Sequence, residues 1–160
     1  ARTAVRLMPP RAKPGDPEQG DMFVPANWQG LASACADVAR SLGLQVETEV
    51  YVGRRIWGAR RRIDVVVSDP GQRRSLGIEV KYQRSAGSAE EKIPSTIEAI
   101  RAWPIPGIVV FHGPGFSANM RAFLLSSGKA VGLEDLEVWL RLFFALPVRR
   151  AFTDAEPEGE

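Results

Sequence analysis

The sequence predicts an α/β fold in which a mixed central sheet is flanked by helices, in the order α-β-β-β-α-β-α-(β)-α with an extra C-terminal helix. Three observations predict it. Residues 45–82 hold three strand-like runs joined by short turns, which makes neighbouring strands antiparallel. A run with helical spacing follows, with Ile93, Ile97, Ile100 and Trp103 as its apolar stripe. After it comes Ile108 to Phe111, short and wholly apolar, as in a strand buried on both faces that rejoins the sheet through a crossover.

Asn27 is a suitable cap for a first helix running to about Leu42, with Leu31, Cys35, Val38, Ala39 and Leu42 on one face and Gly43 as its stop. Residues 45–52 alternate, placing Val46, Thr48, Val50 and Val52 on one side and Glu47, Glu49 and Tyr51 on the other. A basic turn, 53–62, leads to a second strand from Ile63 to Ser68. Asp69-Pro70-Gly71 turns the chain into a third strand, Ser75 to Tyr82. Ser88 with Glu91 three residues on forms a capping box for the second helix, and Glu90 and Glu91 are read as first-turn acids favoured by the helix dipole. His112-Gly113-Pro114-Gly115 breaks the fourth strand, and His112 is read as a structural histidine. A helix carrying Phe116, Met120, Phe123 and Leu124 ends near Gly128, and residues 129–131 form a short edge strand. The last helix, Glu134 to Leu146, is apolar almost all round. It is expected either to be buried by the sheet or to form a homodimer interface through Trp139, Leu142, Phe143 and Leu146.

At 160 residues the chain supports one domain with a substantial core, spanning 27–150. Residues 1–26, with five prolines, read as a flexible leader, and 151–160 as an acidic flexible tail. No stretch is apolar for the roughly 18–20 residues that a membrane span needs. The start shows no signal-peptide pattern, and the lone Cys35 allows no intrachain disulfide. A cytoplasmic setting of bacterial or phage type is therefore the expectation. Cys35 itself reads as a small core residue. The net charge is +2, but residues 27–150 carry 17 bases against 12 acids, a lean toward polyanionic partners.

Residues two apart on a strand share a face. In 77–83, Ile78, Val80 and Tyr82 point one way, while Gly77, Glu79, Lys81 and Gln83 point the other. The neighbouring strand brings Asp64 into Ile63-Asp64-Val65-Val66-Val67, a run too apolar to hold an unpartnered acid. One reading is a structural ion pair in which Lys81 neutralises Asp64 or Glu79. The other is a reactive site: two carboxylates suit a hard divalent cation that grips phosphate oxygens, and a nearby lysine can assist the attacking water. Gln83 is a candidate to contact the phosphate or orient the lysine.

Asp64, followed fifteen residues on by Glu79-Val80-Lys81 in an α-β-β-β-α-β order, resembles the PD-(D/E)XK nuclease superfamily, whose fold is restriction-endonuclease-like. The resemblance covers roughly residues 28–132. It implies that Asp64, Glu79 and the Val80 carbonyl hold Mg²⁺, with Mn²⁺ as a substitute. It also implies that Lys81 serves the water and that the partner is DNA. The activity implied is that of a DNA endonuclease, restriction-type or structure-specific; the alternative is a non-catalytic nucleic-acid-binding module on the same fold. Two departures stand out. Ile63 occupies the position where a proline often precedes the aspartate, and the first helix offers only Asp37 where many members carry a glutamate. Glu47 or Glu49 is a candidate substitute.

The basic turn supplies the expected nucleic-acid contacts: Arg54, Arg55, Arg60, Arg61 and Arg62 around Trp57, with no acid between Arg54 and Arg62. Arg73 and Arg74 in the second turn, and Arg84 just past the lysine motif, extend the set.

Overall fold

The computed structural model describes residues 24–54, 60–86 and 92–147. The elements are α1 (Trp28–Ser41), β1 (Gln45–Arg54), β2 (Arg60–Asp69), β3 (Arg74–Tyr82), α2 (Ile93–Arg101), β4 (Gly107–His112), α3 (Ala118–Ser126), β5 (Ala130–Gly132), a 3-10 turn (Leu133–Asp135) and α4 (Leu136–Phe143). The strands lie side by side in chain order. β1–β2 and β2–β3 pair antiparallel, whereas β3–β4 and β4–β5 pair parallel, each after a helical crossover. This is the expected mixed sheet in an α/β, restriction-endonuclease-like arrangement.

Local chemistry sets the boundaries. The Asn27 side chain accepts the Gly30 N–H at 2.8 Å and starts α1, while Gly43, at φ +79°, takes the left-handed conformation that ends it. Leu31, Cys35 and Ala39 recur at i, i+4 and i+8 and are fully buried. β1 and β2 are longer than their apolar patterns indicate, since pairing continues through Tyr51↔Arg62 to Arg54↔Arg60. Polar side chains on an edge hairpin do not stop the backbone ladder, and Arg60 covers the Tyr51 ring at 5.8 Å. The leader is described only at Val24, Pro25 and Ala26, and the tail 151–160 and the Ser88–Glu91 capping box lie outside the described residues. The described α2 starts at Ile93, with Pro94 in its first turn.

The sheet separates two cores. Val65, Val67, Leu76, Ile78, Val80, Ile108 and Val110 pack under α1 and α4. Val109 and Phe111 pack under α2 and α3, with Ile93, Ile97, Ile100, Phe116 and Leu124. β4 thus meets apolar side chains on both faces, as its composition requires.

The final helix is shorter than expected, because a 3-10 turn replaces its start and Ala145, at φ +53°, turns the chain after Phe144. Leu136, Leu140 and Phe144 face inward with no exposed surface, and Trp139, Phe143 and Leu146 pack against the same core. Of the four residues offered for a homodimer, three therefore serve the fold. Leu142, 68% exposed, and neighbouring Val138 remain outside. Among the described residues no helix is long and apolar enough to cross a membrane.

Candidate active site

Asp64, Glu79 and Lys81 come together near the middle of the sheet, on β2 and β3. The antiparallel register runs regularly from Asp69↔Arg74 to Val65↔Ile78. Beyond it, Asp64 Oδ2 accepts the Val80 N–H at 2.9 Å, so a side chain completes what a ladder carbonyl would otherwise satisfy. Glu79 and Lys81 lie opposite Val109 and Phe111 of β4, on the α2 side of the sheet. Lys81 Nζ donates to Glu79 Oε1 at 2.9 Å, with the two side chains 32% and 22% exposed. The ion pair expected in the structural reading therefore exists, between Lys81 and Glu79. It does not neutralise the cluster, since Asp64 adds a second carboxylate.

The electrostatics show the strain of that count. Burial pushes the Asp64 carboxyl up to about 6, and the neighbouring Glu79 carboxylate pushes the same way. The Val80 N–H and the Lys81 ammonium pull against them. Two acids that repel in one half-buried site, still reachable from solvent, form a donor set that a divalent cation would relieve. Among the described residues no group of three His, Cys, Asp or Glu side chains gathers to hold a metal. Mg²⁺ does not need one, because it takes one or two carboxylates and fills its shell with water and phosphate oxygens. The residues present fit Mg²⁺.

No first-helix acid joins them. Asp37 is 76% exposed and pairs with Arg40 at 3.4 Å. The α1 residue that feels the charge of Asp64 is Cys35, whose thiol is pushed up to about 12, mainly by burial and secondly by Asp64. It is an inert core thiol, as expected. Glu49, on the exposed edge strand, pairs with Arg62 at 3.0 Å. Glu47 is exposed too.

Above Glu79 and Lys81 opens a cleft of about 270 Å³. Arg61 and Arg62 line it from β2, and Lys92, Ser95, Thr96, Ala99 and Ile100 from α2, with Trp103 beyond the helix end. Arg61 donates to the Ala102 carbonyl at 3.3 Å, bridging the two walls. Of the basic hairpin, Arg61 and Arg62 thus line the cleft, and Arg54 and Arg60 pair further along it. Arg55 and Trp57 lie outside the described residues, and Arg84 is exposed just after β3.

Three expected residues stand elsewhere. Arg73 sits in the β2–β3 turn, at the end of the strands opposite Arg60–Arg62. Six residues of extended chain, roughly 20 Å, separate it from Glu79. Antiparallel strands send their two turns to opposite ends, so both hairpins cannot adjoin one site. Arg74 instead covers the Phe143 ring at 4.3 Å. Gln83, 5% exposed, is buried past the end of β3, where its Nε2 donates to the Gly115 carbonyl at 3.0 Å. Its backbone accepts from Gly115 N–H and donates to the His112 carbonyl. It ties β3 to the loop after β4 instead of facing the cleft. Conversely, Lys92, Ser95 and Thr96 line the cleft without being among the residues expected there. Their signal was a polar face opposite the Ile93–Ile97–Ile100 stripe, on the helix that directly follows the lysine motif.

A model of the PD-(D/E)XK nuclease superfamily domain matches residues 22–139. Two solved structures resemble the chain. One is the protein of unknown function AF1548, at 16% identity and TM-score 0.46, covering 72% of this chain and 66% of that one. The other is protein VC1899 from Vibrio cholerae, at 18% identity and TM-score 0.43, covering 72% of this chain and 32% of that one. The chain thus spans just under two thirds of the first and about a third of the second. No curated protein matches it.

Proposed function

We propose that this chain, which belongs to the PD-(D/E)XK nuclease superfamily, is a Mg²⁺-dependent DNA endonuclease that hydrolyses phosphodiester bonds, in restriction or in processing of branched DNA. The observation that carries this reading is that Glu79 and Lys81 line a cleft walled by cations, with the Asp64 carboxylate beside them on the neighbouring strand. Asp64 and Glu79 would hold the metal, with the Val80 carbonyl as the family's third oxygen, and Mn²⁺ could replace Mg²⁺. When bound, Mg²⁺ supplies Lewis-acid polarisation of the phosphoryl group.

The chain's own groups do the rest. Val80 N–H fixes the Asp64 carboxylate in place. Lys81, oriented by Glu79, offers N–H donors to the attacking water or to charge developing on the phosphorus oxygens. Arg61 and Arg62 flank the same cleft and suit phosphate oxygens of the strand backbone.

The low count of acids favours a second reading, a non-catalytic nucleic-acid-binding module, because among the described residues no third carboxylate joins the pair. One assay separates the two. Plasmid, linear and branched DNA are incubated with the protein and Mg²⁺ or Mn²⁺, with and without EDTA. Chelator-sensitive cutting supports the nuclease. Binding without cutting, lost on replacing Arg61 and Arg62, supports the binding module.

A further inference from the structure

The cleft over Glu79 and Lys81 continues to an aromatic side chain, Trp103. Gly77 and Gly107 face each other across β3 and β4. A methyl group added at either would lie 2.6 or 2.5 Å from the Cε3 and Cζ3 atoms of Trp103. Only glycine at both positions lets the benzo edge of the indole settle onto the sheet. Gly77 is two residues before Glu79 on the same strand face, about 7 Å along the strand. The half-buried indole is thus held against the sheet beside the reacting groups.

The opposite end of the cleft carries a cation, Lys92, that no carboxylate among the described residues neutralises. Lys81 is engaged by Glu79, Arg62 by Glu49 and Arg61 by a backbone carbonyl. Lys92 is exposed and, among the described residues, makes no ion pair. The Ser95 and Thr96 hydroxyls both donate to the Lys92 carbonyl, at 2.8 and 3.0 Å. They pin its backbone at the helix start, where the dipole also favours an anion.

We propose that this cleft takes one unpaired nucleotide, with a phosphate between Lys81 and Lys92 and a base against Trp103. The inference rests on the nuclease reading and adds its substrate class: a single strand, a frayed end or a base turned out of its stack. A base inside a duplex has both faces covered by its neighbours and cannot press on an indole, whereas an unpaired base can, whatever its identity.

The test measures binding of a labelled oligothymidine strand and of a closed hairpin duplex to the full chain, with Ca²⁺ in place of Mg²⁺ to hold turnover down. Wild type should bind the strand more tightly than the duplex. Trp103→Leu should weaken strand binding roughly tenfold and leave the duplex unchanged. Trp103→Tyr should keep the strand preference, and it carries the base half of the test if the leucine variant does not fold. Lys92→Ala, at an exposed position, should weaken both probes and lower the salt dependence by about one phosphate contact. The inference is overturned if wild type binds both probes equally, if Trp103→Tyr loses the preference, or if Lys92→Ala changes neither affinity. Those results leave the nuclease reading standing; a wild type that binds neither probe removes both.

Discussion

Replacing Asp64 by asparagine should make the metal-free protein more stable at neutral pH while removing its response to metal. The amide keeps an oxygen to accept the Val80 N–H, now made at 2.9 Å, but removes the charge that Glu79 repels. Asp64 is raised from 3.8 to about 6, chiefly by burial and then by Glu79. The folded state therefore holds this proton more tightly than the unfolded chain. The stability it contributes is complete below the unfolded value and is lost as pH rises through the folded one, between about pH 4 and about pH 6. About two units amounts to ~3 kcal/mol for a fully buried group, and solvent around this half-buried side chain reduces it to ~1–2 kcal/mol. In thermal melts with EDTA at pH 8, Asp64→Asn should unfold about 3–8 °C above wild type, and at pH 4 the two should coincide. Added Mg²⁺ should raise the wild-type midpoint and leave the variant where it was. The reasoning is refuted if the variant melts at or below wild type at pH 8 in EDTA, or if Mg²⁺ stabilises it as much as wild type.

Three further outcomes follow from the packing. Gln83→Leu leaves the Gly115 carbonyl without its buried donor and should cost about 1–3 kcal/mol in urea unfolding; an unchanged midpoint would mean that water replaces the bond. Gly107→Ala sets a methyl 2.5 Å from the indole and should cost about 1–3 kcal/mol, with a change in Trp103 fluorescence. Arg61→Ala should weaken DNA binding and flatten its salt dependence, whereas Arg73→Ala, at the far end of the sheet, should leave both unaltered in a titration by fluorescence anisotropy.

Much of the fold is legible because strands declare their faces by alternation. Once 77–82 reads as a strand, Glu79 and Lys81 must share a side, and an acid in the apolar run 63–67 must find a partner. Those two inferences place the triad on the site that forms. They fail where the strand does. Gln83 continues the alternation on paper, but β3 ends at Tyr82 and the chain dives under the loop after β4. Arg73 is near Asp64 and Glu79 in sequence, but antiparallel pairing carries its turn away from them. The polar residues of α2 reach the cleft only through the crossover that lays this helix beside β3, and no local pattern specifies that placement. The last helix misleads for a related reason. Its second apolar flank, Trp139 and Phe143, packs on the same core, and Arg74 covers the Phe143 ring.

The central claim is that Asp64, Glu79 and Lys81 form one hydrolytic site, and single-turnover cleavage of end-labelled DNA in Mg²⁺ tests it most directly. The account predicts cutting by wild type that EDTA stops. It also predicts loss of cutting in folded Asp64→Ala and Lys81→Ala, with Arg73→Ala as active as wild type. Cutting that survives Asp64→Ala, or no cutting by a wild type that binds both DNA and Mg²⁺, would contradict it.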